Sequence, residues 1–136
     1  SSIDLKFIGN WNNSKFGMRL KERFGHYKNI EIIDAVYDQA ELFNFRSKAE
    51  VYIHGHSAGG TNPSLVEMMH LKSHIVCFDC IYNRETTENK ACYFSNKAQL
   101  INLILNKDKS NQADMTEIAS RRYTWSIIRK NYEDLF

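Results

Sequence analysis

The 136-residue sequence predicts an α/β fold, a parallel sheet with helices on both faces and a long helix at the C-terminal end. Three observations lead there. Short apolar runs rich in β-branched residues alternate with segments whose apolar residues recur three or four apart. A glycine-rich turn joins one such run, Val51-Tyr52-Ile53, to a segment that opens like a helix at Asn62-Pro63. The composition, 43% apolar and 25% charged, is that of an ordinary globular chain.

Each element follows from its residues. Leu5 to Gly9 reads as a strand ending in a glycine turn. Ser14 to Phe24 reads as a helix with Phe16, Leu20 and Phe24 on one face, stopped by Gly25. Ile30 to Asp34 is a second strand, Gln39 to Lys48 a second helix, and Glu50 to His54 a third strand. A helix runs from Pro63 to about Lys72, carrying Leu65, Met68, Met69 and Leu71. His74 to Phe78 is the next strand, Asp79 to Lys90 a polar loop, and Ala91 to Phe94 a short strand. Lys97 to Asn106 is a helix with an apolar face, and Lys107 to Gln112 is the best linker. A terminal helix fills 113–136, with Trp125, Ile128, Tyr132 and Leu135 near one face; Trp125 is expected to pack.

Length and composition set limits. A chain of this size suits one domain, so 1–136 is expected to be a single unit burying roughly two thirds of its unfolded surface. The net charge of +2, with basic residues scattered, argues against a nucleic-acid surface. No apolar run has bilayer length and no signal peptide is visible. The opening Ser1-Ser2-Ile3-Asp4, without Met, suggests an excised fragment. Three cysteines in a mixed α/β pattern fit a reducing cytoplasm. Cys77-Phe78-Asp79-Cys80 has redox or zinc spacing, but no second ligand pair completes a site. Cys77 is expected to be buried in a strand with Cys80 at its end, and no metal is expected.

The stretch Val51 to Glu67 is the most informative. Gly55, Gly59 and Gly60 are half of the six glycines. Asn62 is a good N-cap, and Pro63 then sits where a missing N–H costs nothing. Backbone N–H groups at such a junction, with the helix dipole, favour an anion or a polar sugar. Gly59, Gly60, Thr61 and Asn62 are therefore candidate ligand contacts; the alternative is a tight turn without a ligand. Glu67, in the second turn, is spaced to reach vicinal hydroxyls, or else to face solvent. His54 and His56 flank Gly55 and could serve as acid/base groups, phosphate contacts or ligands, while His54 could equally be a hydrogen-bonded core residue. Arg84 could grip a phosphate through its planar fork, or pair with Glu85 on the surface. Asp34 to Tyr37, Val36 included, could line a base pocket. Ligands bind beyond the carboxyl ends of parallel strands, so the loops Gly9-Asn10, Asp34–Asp38, Gly55–Asn62 and Asp79–Glu85 are expected at one sheet edge.

Gly55-His56-Ser57-Ala58-Gly59 also matches the nucleophile-elbow pattern, with Ser57 as the would-be nucleophile of a hydrolase. Against that rival, only His70 and His74 follow in the chain. The helix also starts several residues late.

The text from His54 to Glu67, with Phe78-Asp79 and Asn83-Arg84-Glu85, resembles the donor-binding half of glycosyltransferase family 4 enzymes, most closely the bacterial rhamnosyltransferase-type subgroup. The resemblance runs over nearly the whole chain. It implies the Rossmann-like C-terminal domain of a two-domain GT-B enzyme, lacking that domain's first strand and helix. The implied activity is retaining transfer from a nucleoside diphosphate sugar in surface polysaccharide synthesis. The implied setting is the cytoplasm, at the inner face of the membrane. The acceptor, a glycan or lipid-linked glycan, would be held by an N-terminal domain, and the full enzyme could associate peripherally with the membrane. No cofactor is implied beyond the nucleotide-sugar substrate. By position, Glu67 matches the second glutamate of an E-x7-E pattern that contacts ribose. Gly60, Thr61 and Asn62 match the loop that meets the donor. Gly59 occupies the first glutamate's position, and His56 or Ser57 could compensate. No catalytic residue is assigned. A nucleotide-binding or interaction module without chemistry remains the other alternative.

Overall fold

The computed structural model describes residues 3–106 and 110–135. It is an α/β structure of parallel strands and flanking helices, grouped into two compact units, Ser1–Phe45 and Arg46–Phe136. The strands form two sheets, β1-β2 and β3-β4-β5, where one sheet was expected. Among the described residues, β4 (His74–Phe78) is the one strand buried along almost its whole length, and it is the central strand of the second unit's sheet.

In the first unit, β1 (Leu5–Gly9) pairs in parallel with β2 (Ile30–Asp34), from Leu5↔Ile30 to Gly9↔Asp34. The crossover is a 3-10 turn at Trp11–Asn13 and helix α1 (Lys15–Phe24). Ser14 caps α1, its Oγ accepting from the Gly17 amide at 3.0 Å. Gly17 is obligatory: a Cβ there would lie 2.3 Å from the Trp11 carbonyl oxygen. The Trp11 indole donates to the Ile33 carbonyl at 2.8 Å, fastening the turn to β2. The expected apolar face of α1 is only partly covered, and Phe16 is exposed. Helix α2 (Gln39–Ser47) leads on into the second unit.

In the second unit, β3 (Val51–His54) pairs with β4, from Val51↔His74 to His54↔Cys77. β4 pairs in turn with β5 (Cys92–Phe94). All pairs are parallel, and a continuous apolar run suits a strand covered on both faces. Helix α3 (Pro63–His70) buries Leu65, Met68 and Met69. These join Ile75, Cys77, Met115, Ile118 and Ala119 in the core.

Four sequence expectations change here. The polar loop 79–90 contains a helix, α4 (Ile81–Thr86), followed by Glu88 and Asn89 in the left-handed region. α5 (Lys97–Leu105) forms as expected, capped by Asn96. Of the linker, 107–109 lies outside the described residues, but Asn111 is buried and bonded rather than free. The terminal helix is two helices, α6 (Gln112–Arg122) and α7 (Trp125–Glu133). The break has a long-range cause. Arg122 donates to the Glu85 carbonyl at 2.9 Å and the Tyr123 hydroxyl to the Thr86 carbonyl at 3.0 Å, so both residues turn toward the end of α4. Trp125, expected to pack, is 86% exposed. Among the described residues, no helix is long and apolar enough to cross a membrane.

Candidate functional site

The turn after β3 is held from below and open above. Asn62 adopts the extended N-cap conformation, and its Oδ1 accepts from the Ser64 amide at 2.9 Å. The Leu65 and Val66 amides donate to the Asn62 carbonyl, at 3.1 and 3.2 Å. Pro63 has no N–H. The first turn of α3 therefore satisfies its own donors, and the dipole alone remains at that end. The open donors lie just upstream. The amides of Gly59, Gly60 and Thr61 have no internal acceptor among the described residues. Gly59 has φ +84°, and a Cβ at Gly55, Gly59 or Gly60 would meet nothing within 4 Å. The turn is thus a bare backbone surface that a ligand could approach closely.

Asn83 fixes the start of this turn. It is buried in α4, and its Nδ2 donates to the carbonyls of His56 and Phe78, both at 2.9 Å. The Cys80 thiol also lies 3.9 Å from the His56 carbonyl. The two loops that follow β3 and β4 are thereby brought together. In the first unit, its own two loops meet where Asn10 Nδ2 donates to the Tyr37 hydroxyl at 3.5 Å. Val36 belongs to that unit and is half-buried.

His54 is 1% exposed at the end of β3, with Tyr52 Oη 3.3 Å from its Nδ1 and the His56 ring stacked at 5.0 Å. Its Nε2 is buried without a hydrogen-bond partner among the described residues. Burial first, then the neighbouring His56, pushes its pKa down to about 4, so the ring is neutral near pH 7. His56 and Ser57 are exposed. Among the described residues the Ser57 hydroxyl has no hydrogen bond to a histidine, so no nucleophile–base pair is assembled there.

Glu67 stands on the exposed face of α3, ion-paired to Arg46 through Nη1 and Oε2. Arg46 Nη2 also donates to Ser64 Oγ at 3.2 Å. Arg84 is engaged by Asp79 rather than Glu85, with Nε to Oδ1 at 2.5 Å and Nη2 to Oδ2 at 2.9 Å. The Tyr93 ring lies 4.2 Å below the guanidinium. The paired guanidinium holds the Asp79 carboxyl below its usual range. Asp79 thus occupies the Nε and Nη2 edge of the guanidinium, while Nη1 donates to Asn89 Oδ1 at 3.3 Å. Cys77 is buried in β4 and Cys80 occupies the N-cap position of α4 without a side-chain capping bond; both are free thiols. No group of three or more metal-binding side chains converges among the described residues.

Three neighbours of the turn take roles that no local sequence pattern announces. Arg46 is one. Asn83 is the second; the sequence placed it in a polar loop and in the Asn83-Arg84-Glu85 stretch of the resemblance, with no role of its own. The third is an open groove of about 480 Å³, lined by Thr61 together with Arg121, Arg122 and Tyr123 of the α6 end and Ile128 and Asn131 of α7. Arg121 is committed to Glu88 at 2.7 Å and to Glu117 at 2.8 Å, so the groove wall is a closed charge network.

No family model matches this chain, and no curated protein shows significant similarity to it. Solved structures do resemble it, two of Anabaena HepE among them. Anabaena HepE in complex with UDP superposes with a TM-score of 0.72 over 98% of this chain at 17% identity. Anabaena HepE in complex with UDP-glucose gives 0.72 over 97% at 16% identity. This chain spans 40% of the length of either. What the likeness establishes is the fold, the parallel α/β arrangement of a GT-B-type domain.

Proposed function

We propose that this chain is the nucleotide-sugar-binding domain of a retaining glycosyltransferase, of the rhamnosyltransferase-like type that builds bacterial surface polysaccharide. The carrying observation is the run of unpartnered amides at Gly59, Gly60 and Thr61, set between β3 and the capped start of α3. The fold shared with a protein solved with UDP and UDP-glucose supports the same reading. In this proposal the diphosphate lies against those amides, and Glu67 accepts from the ribose hydroxyls. His56 and Ser57, exposed at the same turn, stand toward the sugar. Transfer then rests on orienting the donor and stabilising the leaving diphosphate with fixed dipoles. The acceptor, a glycan or lipid-linked glycan, belongs to a further domain of the complete enzyme. The proposed setting is the cytoplasm, at the inner face of the membrane.

The test is calorimetry with UDP and UDP-glucose on the protein made from its complete reading frame. Both nucleotides should bind. Glu67→Ala should weaken UDP by about tenfold, the worth of one charged hydrogen bond. Its thermal melt should move little, because Glu67 itself is exposed. Absence of UDP binding at millimolar concentration would end the proposal.

A further inference from the structure

Helix α3 has a buried face of Leu65, Met68 and Met69 and an outer face that carries the half-buried Ser64 and the exposed Glu67 one turn apart. Arg46, from the last turn of α2, spans that outer face. One arm of its guanidinium pairs with Glu67 Oε2, and the other donates to Ser64 Oγ at 3.2 Å. The Arg46 side chain is only 22% exposed, against 54% for Glu67. The better-buried partner therefore anchors the more exposed one. Left alone, a glutamate on an open helix face samples several rotamers and loses that freedom on binding. Held by Arg46, it has already lost it. Only Oε2 is used, and Oε1 has no hydrogen-bond partner among the described residues. The Arg46 charge also acts on Tyr52, opposing the rise that burial imposes on the phenol, and Tyr52 touches His54 below the turn.

We propose that Arg46 is a positioning residue that holds Glu67 with one carboxylate oxygen engaged and the other free to accept from a ribose hydroxyl of a nucleoside diphosphate. The inference rests on the donor-binding reading and adds selection for ribose over a sugar without hydroxyls. The fork geometry matters: a lysine is a point charge and cannot span Ser64 and Glu67 in the same way.

The experiment compares UDP with 2′,3′-dideoxy-UDP by calorimetry on the complete protein. The wild type should prefer UDP by about tenfold, the worth of one charged hydrogen bond. In Arg46→Met the preference should fall to about twofold or less while dideoxy-UDP affinity and the thermal melt hold, because only the orienting contact has gone. Arg46→Lys keeps the charge and should give an intermediate preference of about threefold. This second variant carries the test if Arg46→Met does not fold. Full preference in either variant would overturn the inference, as would equal loss of both nucleotides with a lowered melt, which marks a structural residue only. A wild type that binds UDP and dideoxy-UDP alike overturns the inference and leaves donor binding standing. A wild type that binds neither overturns both.

Discussion

The side-chain amide of Asn111 closes on the backbone of Ile75 from both ends. Its Oδ1 accepts from the Ile75 amide at 2.9 Å, and its Nδ2 donates to the Ile75 carbonyl at 2.8 Å. β5 pairs with β4 only from Val76↔Cys92 onward, so Asn111 takes the role of a strand residue one step earlier. The same residue starts α6, which ties the helix to the central strand.

Asn111→Ala should therefore destabilise the protein by about 2–3 kcal/mol, since it leaves two buried backbone groups unpaired. Asn111→Asp at pH 7 should cost at least as much, because the donor is lost and a charge is buried. Urea unfolding checks both. A loss well under 1 kcal/mol for the alanine variant would mean that water replaces the amide.

Local signals were legible in the sequence and long-range ones were not. The start of α3 was readable because Asn62 and Pro63 act on their own neighbours. The strands were readable because Ile30–Asp34 and His74–Phe78 are short apolar runs between turns. Helix α4 was not, since six residues give no period. It is held by distant partners: Asn83 bonds the His56 carbonyl, and the end of the helix meets Arg122 and Tyr123. The break between α6 and α7 comes from the same contacts. At the site, Glu67 was visible by its place in the helix, while Arg46, twenty-one positions earlier, could be paired with it only by the fold.

His54 makes stability depend on pH. Its folded pKa of about 4 lies below the ordinary histidine value of 6.5, so the unfolded chain takes up the proton first as pH falls. The neutral ring's contribution is present above pH 6.5 and is lost as pH drops toward 4. The depression corresponds to at most about 3 kcal/mol. Denaturant unfolding at pH 7 and pH 5 should show wild type losing more stability on acidification than His54→Gln. Equal losses would mean that the buried ring accepts its proton freely.

Cys77 should resist alkylation. Burial, with the neighbouring Cys80 and Cys92 thiols adding to it, pushes its pKa up to about 12, so almost no thiolate forms at pH 8. Cys80, half-buried at the start of α4, is within reach of reagent. Iodoacetamide with peptide mapping should label Cys80 well before Cys77. Equal rates would mean that β4 opens readily.

Gly59 and Gly60 are adjacent yet should respond differently to alanine. Gly59 sits at φ +84°, where a Cβ is strained, so Gly59→Ala should cost about 1 kcal/mol of stability although nothing crowds the new methyl. Gly60 has no positive φ, and its Cβ would also meet open space. Gly60→Ala should leave folding unchanged, or help it slightly by stiffening the unfolded chain. Its effect should appear on the ligand alone, because a methyl group on the open turn keeps a phosphate from the amides. A roughly tenfold or greater loss of UDP affinity with an unchanged melt would locate the diphosphate at this turn, as a lost charge-assisted contact does. Full affinity in Gly60→Ala would mean that the nucleotide lies elsewhere and that the second glycine serves only the turn.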